Sequence, residues 1–188
     1  MSDCMNTYTG MVFDPMHMTP EHIRAEDIAH ALSLLCRGGG HIRHFYSVGQ
    51  HSMNCAREAA ARRYSGRVVL ACLLHDASEA YISDIIRPVK KHLANYLEIE
   101  SMMMDAILTH FGIGDLSEEE RGNVRQVDDE MLLHELHELM PGSEIDSLPK
   151  LAAVPDFAKR SFEEVEETFL MMLKEWSDLC IRENAETL

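Results

Sequence analysis

The stretch VVLACLLHDASEAYISD, residues 68–84, decides how the rest of the chain is arranged. Its first seven residues are apolar and indicate a helix that is buried on every side. The run then changes to His75, Asp76 and Glu79, three side chains that can hold or assist a metal ion. On one continuous helix over residues 67–82 these groups would converge across a single turn. A purely structural helix does not need that change, so this stretch is the main indication of function.

The composition favours a single all-α domain over residues 1–188. Aliphatic, Met and Ala residues are abundant, aromatic residues make up 6%, and strand-like alternation is scarce. The formal net charge of -15 argues against binding long nucleic acid, because such proteins need a basic stripe to displace counterions from phosphates. A small phosphorylated substrate remains compatible if a metal or a few Arg and Lys side chains offset the negative field.

Cysteine usage and hydropathy indicate a soluble cytoplasmic protein with no membrane contact. The five cysteines are widely spaced and form no CxxC pair. Three of them lie on apolar helical patterns, which is typical of buried free thiols in a reducing cytosol. No basic-then-apolar leader is present, and no apolar run approaches the ~18 residues that a membrane span needs.

The hydrophobic periodicity predicts a bundle of about six or seven helices. An irregular lead-in, residues 1–24, precedes a motif-bearing core, residues 25–140, and a C-terminal helix is expected over 158–182. Arg37 and three glycines close the first helix, either as a flexible turn or as a place where backbone approaches a ligand. Ser117 and Glu120 form a capping-box pattern for the long acidic helix.

Two further segments supply partners for the His-Asp pair. His51 begins the second helix, and Asp128 lies on the long acidic one. With His75 and Asp76 they make a mixed nitrogen and oxygen set that suits a borderline divalent ion. Glu79 is then placed to orient or deprotonate a water that the metal has made acidic. The spacing alone is not diagnostic, since His and Asp are common residues.

The order of these motifs resembles a known family. His51, then His75-Asp76, then Asp128 on a helical background is similar to the HD-domain superfamily of metal-dependent phosphohydrolases. Within it, the HDASE motif of residues 75–79, followed by Asp84 and by Pro88-Val89-Lys90, resembles the bacterial HD-domain 5'-deoxynucleotidases. The phage deoxyadenosine triphosphate hydrolases look like close relatives of these enzymes. The resemblance covers about residues 25–140.

The resemblance implies one divalent ion, with Mn, Co, Mg, Ni, Fe and Zn not distinguished. Its ligands would be His51, His75, Asp76 and Asp128. Glu79 and Asp84 would handle the attacking water and the substrate, and Arg37 would contact phosphate, with Lys90 as a further phosphate-attracting group. One departure is that Gly38 follows Arg37, where the deoxynucleotidases carry an aromatic residue. Base stacking and substrate identity therefore stay open.

The expected function is hydrolysis of a deoxynucleoside 5'-monophosphate. Removal of triphosphate from a deoxynucleoside triphosphate is the enzymatic alternative, and it would need the charges of Arg43, Arg87, Lys90 and Lys91. Two non-enzymatic hypotheses are a nucleotide-sensing module without turnover and a helical scaffold without metal. The apolar C-terminal helix suggests a homodimer. Any second metal site would need His92 with His110, whose surroundings do not match the motifs of two-metal HD enzymes, or His134 with His137, which lie among Glu135 and Glu138 on an acidic face.

Overall fold

The apolar run of residues 68–74 lies in the central helix of an all-α fold. The computed structural model describes residues 3–186, with side chains up to Glu183. The ends of the expected 1–188 domain, residues 1–2 and 187–188, lie outside this range. The expected fold class is confirmed, because six α-helices of nine or more residues account for most of the described chain.

The elements follow one another along the chain with one small sheet at the start. The antiparallel strands are β1 (Met5–Asn6) and β2 (Val12–Phe13). Short 3-10 turns cover Pro15–His17, Pro20–His22 and Arg37–Gly40. The α-helices are α1 (Ala25–Leu34), α2 (Val48–Ala61), α3 (Gly66–Leu74), α4 (Glu79–Ile82), α5 (Arg87–Lys90), α6 (Ala94–His110), α7 (Glu118–Leu139) and α8 (Phe162–Glu186).

Helix α3 is surrounded by other helices because it is apolar on all sides. Eight of its nine residues are buried, and it packs against α2, α7 and α8. Apolar residues from Phe13 on β2 to Cys180 on α8 form one hydrophobic cluster around it. Cys55, Cys72 and Cys180 are buried free thiols, as expected. No helix of the described residues is long and apolar enough to cross a membrane.

The continuous helix expected over residues 67–82 is wrong, because α3 ends at Leu74. Beyond it the amides of Ala77 and Glu79 bond to carbonyls three residues back, at 2.9 and 3.0 Å, instead of four. Nδ1 of His75 is also hydrogen-bonded to the carbonyl oxygen of Cys72, at 2.8 Å. These tighter turns change the direction of the side chains after Leu74, and such departures from α-geometry are frequent at functional sites.

Both ends of the chain differ in detail from the expectation. The lead-in of residues 1–24 is partly regular, since it carries the two strands and is tied to α1 where Thr9 N–H donates to Asp27 Oδ1 at 2.7 Å. The last helix begins at Phe162 and not near Ala158. A capping box sets that start, because Ser161 Oγ accepts from Glu164 N and Glu164 Oε2 accepts from Ser161 N.

Candidate metal centre

Three mutually packed helices bring the four proposed metal ligands to one point. His51 lies in the first turn of α2, Asp128 lies on α7, and His75 and Asp76 follow the end of α3. A capping box formed by Ser47 and Gln50 starts α2 at Val48. Local sequence therefore sets the position of His51 on α2. The packing of α2, α3 and α7 against one another brings it close to the other three side chains.

The facing atoms of these side chains lie close together. His51 Nε2 is 3.1 Å from His75 Nε2, 3.2 Å from Asp128 Oδ1 and 3.7 Å from Asp76 Oδ2. His75 Nε2 is 3.3 Å from Asp76 Oδ2 and 3.6 Å from Asp128 Oδ1. Donor atoms that share one ion at about 2.1 Å have mutual distances of this size. The two nitrogens and two oxygens therefore fit a single divalent ion.

Both imidazole rings are oriented for ligation through Nε2. Nδ1 of His51 lies 2.7 Å from Glu135 Oε1, and Nδ1 of His75 lies 2.8 Å from the carbonyl oxygen of Cys72. Each of these acceptors fixes a hydrogen on Nδ1 and leaves the Nε2 lone pair toward the centre. Ligating histidines in metalloproteins are commonly held in this way.

The centre requires positive charge between its carboxylates. Burial lowers the pKa of His75, but Asp76 and Asp128 outweigh burial and hold that pKa well above 6.5. Burial likewise raises the pKa of each aspartate, and the nearby imidazoles outweigh it, so that both carboxyl pKa values lie well below 3.8. Protons on the imidazoles or a divalent ion can supply the positive charge.

Cys55 is a competing ligand that the sequence did not indicate. Its sulfur belongs to a group with His51 and His75 whose ligand atoms all lie within 4.8 Å. The sulfur lies 3.6 Å from Nε2 and 3.9 Å from Nδ1 of His51. Nearly equal distances place it beside the ring and not along the Nε2 lone pair. The carboxylate oxygens of Asp76 and Asp128 are therefore better placed than this sulfur to complete the ligand set with the two histidines.

Arg37 lies beside the centre because the ends of α1 and α2 are clamped together. Arg37 N–H donates to Tyr46 O at 3.0 Å, and Val48 N–H donates to Leu35 O at 2.9 Å. The guanidinium then reaches Asp76 Oδ2 at 3.1 Å and Glu135 Oε2 at 3.3 Å. Arg37 is therefore more than a cation at a helix end.

Glu79 and Asp84 face the same space as the centre. Glu79 is 3% exposed, and its Oε2 has no hydrogen-bond partner among the described residues. Burial, followed by Asp76 and Asp84, raises the pKa of Glu79 to about 9. Burial also raises the pKa of Asp84, and Arg37 opposes this shift.

Each cation at the centre is shared between two carboxylates. Arg37 pairs with Asp76 and Glu135. Arg87 pairs with Asp128 Oδ2 and Asp129 Oδ1, each at 2.5 Å. Lys90 lies 3.8 Å from Glu79 Oε1 and also pairs with Glu100. Asp129 is accordingly a partner of Arg87 and not of the histidines.

A cavity of about 590 Å³ opens onto the centre. Its polar lining residues include Arg37, Asp76, Glu79, Asp84, Lys90 and Asp128, and its apolar lining residues include Ile42, Ile85, Ile86, Leu132, Leu136, Leu139 and Met140. Gly38 has φ +61° and lines the same wall, where an added Cβ would meet Ile42 and Met140 at 3.6 Å. The glycine turn therefore forms part of the cavity.

The structure does not bring His92, His110, His134 or His137 to this point. His110 Nδ1 bonds to Pro20 O at 2.7 Å, and His134 Nε2 bonds to Pro149 O at 2.8 Å. Neither His92 nor His137 lines the cavity. Among the described residues, neither of these two histidine pairs belongs to a second group of possible metal ligands.

Sequence reasoning missed Glu135, which it treated as part of an acidic surface. Glu135 is 5% exposed and lies in a buried stripe of α7 with Val127, Met131 and Leu139. The sequence did contain an indication that Glu135 is buried, because the four residues of this stripe recur every four positions. Glu135 also lies seven residues after Asp128, on the same helix face.

Comparisons with known proteins point to one family. The uncharacterized protein YfdR of Escherichia coli K12 is 34% identical over 109 residues, which are 58% of this chain and 58% of YfdR. An uncharacterized protein of Rhodobacter capsulatus is 37% identical over 111 residues, 56% of each chain. The chain thus spans somewhat more than half the length of these curated relatives. Residues 40–131, a range that includes all four candidate ligands, match the family described as HD domain, and this match supports a relation of the chain to the HD superfamily.

Proposed function

We propose that this chain is a metal-dependent phosphohydrolase that cleaves the phosphate ester of a small nucleotide, a deoxynucleoside 5'-monophosphate. An HD domain indicates a metal-dependent phosphohydrolase in general. The observation that carries the proposal is the set of two imidazole and two carboxylate atoms within 3.7 Å of His51 Nε2, at the end of a cavity. The buried Glu79 Oε2 without a hydrogen-bond partner adds support, because such an atom calls for a ligand.

His51, His75, Asp76 and Asp128 would hold the ion. When bound, a divalent ion lowers the pKa of water and neutralises charge on phosphoryl oxygens. Nδ1 of each histidine stays bonded to its own acceptor, Glu135 Oε1 or the Cys72 carbonyl, so that the rings keep their orientation.

Glu79 would accept the proton of the attacking water. Its Oε2 has no other partner in the described residues, and its Oε1 lies 3.8 Å from Lys90 Nζ. A carboxyl with a raised pKa is a stronger base than an exposed one, and a divalent ion held by the neighbouring ligands would lower that pKa toward neutrality. The buried position also keeps bulk water away from the proton.

Arg37, Lys90 and Asp84 would position the substrate. Arg37 contacts the phosphoryl oxygens through a guanidinium already oriented by two carboxylates. Lys90 adds a second positive charge at the cavity. Asp84 offers an acceptor for a sugar hydroxyl, and the aliphatic walls accept the base.

The charge balance favours a monophosphate over a triphosphate. Arg37, Arg87 and Lys90 line the cavity, and each is already paired with two carboxylates. A triphosphate carries about four negative charges, for which this arrangement leaves no free cation beyond the ion itself. A monoester carries only about two negative charges, which a divalent ion alone would balance.

A nucleotide panel tests the proposal. Metal-loaded protein is incubated with deoxynucleoside and ribonucleoside mono- and triphosphates in Mn²⁺, Co²⁺ or Mg²⁺, and phosphate, triphosphate and nucleoside are measured. We expect phosphate and nucleoside from the deoxynucleoside monophosphates. Release of intact triphosphate would favour a triphosphohydrolase. Metal-containing protein that binds nucleotides without any release would indicate a sensing module, and protein that retains no metal would indicate a scaffold.

A further inference from the structure

Glu135 is a buried carboxylate that the proposed reaction does not use directly. It lies on α7, in a stripe whose other members, Val127, Met131 and Leu139, are apolar. Burying a carboxylate in such a stripe is costly unless its oxygens are paired. It also lies beyond the range that matches the HD domain, as does Arg37.

The two oxygens of Glu135 serve different parts of the site. Oε1 lies 2.7 Å from His51 Nδ1 and accepts from Tyr46 OH at 2.9 Å. Oε2 accepts from Arg37 Nη2 at 3.3 Å. One carboxylate therefore contacts a proposed metal ligand on one side and the proposed phosphate-binding guanidinium on the other.

The Arg37 contact also bears on a metal ligand. Arg37 uses its other terminal nitrogen, Nη1, to reach Asp76 Oδ2 at 3.1 Å. The same oxygen lies 3.3 Å from His75 Nε2, so it faces the centre. Without Glu135, the guanidinium would depend on Asp76 alone and would compete with the ion for that oxygen.

Glu135 is held in place by a chain of buried hydrogen bonds. Tyr46, 0% exposed, receives a hydrogen bond from Asn54 Nδ2 at 2.9 Å. Asn54 also donates to Asp156 O at 3.0 Å and accepts from Asp156 N–H at 3.1 Å. This chain runs from the loop before α8 to Glu135, so the carboxylate has little freedom to turn.

We propose that Glu135 is a positioning residue that couples the metal ligand His51 to the phosphate-binding residue Arg37. The inference rests on the proposed function, because it takes His51 as a ligand and Arg37 as a phosphate contact. Oε1 keeps the hydrogen of His51 on Nδ1, and Oε2 holds Arg37 toward the cavity while leaving Asp76 Oδ2 to the ion.

The test compares three variants by two binding measurements. Glu135→Gln keeps an oxygen for His51 but turns an amide toward Arg37. On Glu135, Tyr46→Phe removes a contact to Oε1 and leaves Oε2 untouched, and it also removes the hydrogen bond from Asn54 to Tyr46 OH. Glu138→Gln makes the same change at an exposed position of α7 and is the matched control. Affinity for Co²⁺ is measured by chelator competition, and affinity of the Co²⁺-loaded protein for inorganic phosphate is measured by calorimetry.

We expect Glu135→Gln to weaken Co²⁺ binding by about tenfold, because a neutral amide oxygen accepts more weakly from His51 Nδ1 and because Arg37 then competes with the ion for Asp76 Oδ2. Phosphate binding should weaken by about tenfold, the size of one hydrogen bond to a charged group. Tyr46→Phe should weaken Co²⁺ binding only, since Tyr46 does not touch Oε2. Glu138→Gln should change neither.

The Arg37→Met background makes the test decisive. There, Glu135→Gln should leave phosphate affinity unchanged while still weakening Co²⁺ binding. A further loss of phosphate affinity in that background, or unchanged Co²⁺ and phosphate affinities in Glu135→Gln alone, would overturn the proposal. Wild-type protein that binds no Co²⁺ would instead refute the proposed function.

Discussion

The Nε2 atoms of His51 and His75 face each other at 3.1 Å, while each Nδ1 is bonded to an acceptor of its own. Two nitrogens at this distance cannot both direct a hydrogen at the other. Either they share a proton or both lone pairs serve a cation between them. The electrostatic surroundings raise the pKa of both rings above 6.5, despite their burial.

Metal ions and protons should therefore compete for this space. Because the raised pKa values favour a proton between the two Nε2 atoms, binding of Co²⁺ has to displace that proton, and the affinity for Co²⁺ should increase with pH. Calorimetric titration in two buffers with different ionisation enthalpies measures the number of protons released.

His134→Gln is the control for this pH dependence. His134 bonds to Pro149 O and is not part of the cavity, so the variant should release the same number of protons as the wild type. Affinity that does not change with pH, with no protons released, would contradict the competition.

The ligand set itself can be tested through Cys55. Because its sulfur lies beside the ring of His51, we expect Cys55→Ser to retain Co²⁺ with affinity within about threefold of wild type, and Asp128→Asn to weaken it by roughly a hundredfold. Cobalt-loaded wild-type protein should lack the near-ultraviolet band that a thiolate ligand produces. Cys72→Ser, a second buried thiol outside the centre, is the control. A thiolate band that disappears in Cys55→Ser alone would show that sulfur completes the set.

The fold class could be predicted because it depends on local patterns. The apolar run of α3 and the capping box of α7 are each visible within a few residues, and both are observed. The break after Leu74 could not be predicted in the same way. It depends on the ring of His75 bonding to Cys72 O and on the turns that follow, and the residues between Leu74 and Glu79 are all compatible with an α-helix.

The candidate site shows the same limit. His51, His75, Asp76 and Asp128 could be proposed from their order along the chain. Side-chain pairings between different helices could not be predicted, because they depend on which helix faces pack against each other. The sharing of Arg37 between Asp76 and Glu135 joins residues 39 and 98 positions apart.

The stability of the metal-free protein should depend on Glu79. The pKa of Glu79 is raised from 4.5 to about 9, mainly by burial. Between these values the folded chain holds a proton that the unfolded chain has lost, so the contribution of this group to the free energy of unfolding falls as pH rises. Glu79→Gln removes that linkage. The variant should exceed wild type by more than about 1 kcal/mol at pH 8 and by little near pH 4.5.

Urea unfolding in the presence of a chelator measures the difference in unfolding free energy between Glu79→Gln and wild type across the pH range. Glu138→Gln, at an exposed position of α7, should differ from wild type by an amount of unfolding free energy that does not grow with pH. A Glu79→Gln protein whose stability tracks wild type at every pH would mean that the pKa of this carboxyl is the same in the folded and unfolded chains.

Glu79→Gln should also separate metal binding from turnover. Glu79 is not among the proposed ligands, so Co²⁺ should bind with affinity close to wild type. Loss of the proton acceptor should lower kcat by roughly 10²–10⁴-fold on the nucleotide that the panel identifies. Unchanged turnover with the ion bound would remove Glu79 from the mechanism.

Ser83 links Glu79 to Asp84 through a strained backbone. Its φ of 70° and ψ of 157° lie in a region that L-residues rarely adopt, and its own amide donates to Glu79 O at 2.9 Å. Glycine adopts this conformation without strain, at some cost in chain entropy. Ser83→Gly should therefore raise the free energy of unfolding by about 1 kcal/mol. Ser101→Gly, at an exposed position inside α6, should lower it by about 1 kcal/mol. If urea unfolding shows equal losses for both variants, the backbone at Ser83 stores no strain, and Asp84 is held by other contacts.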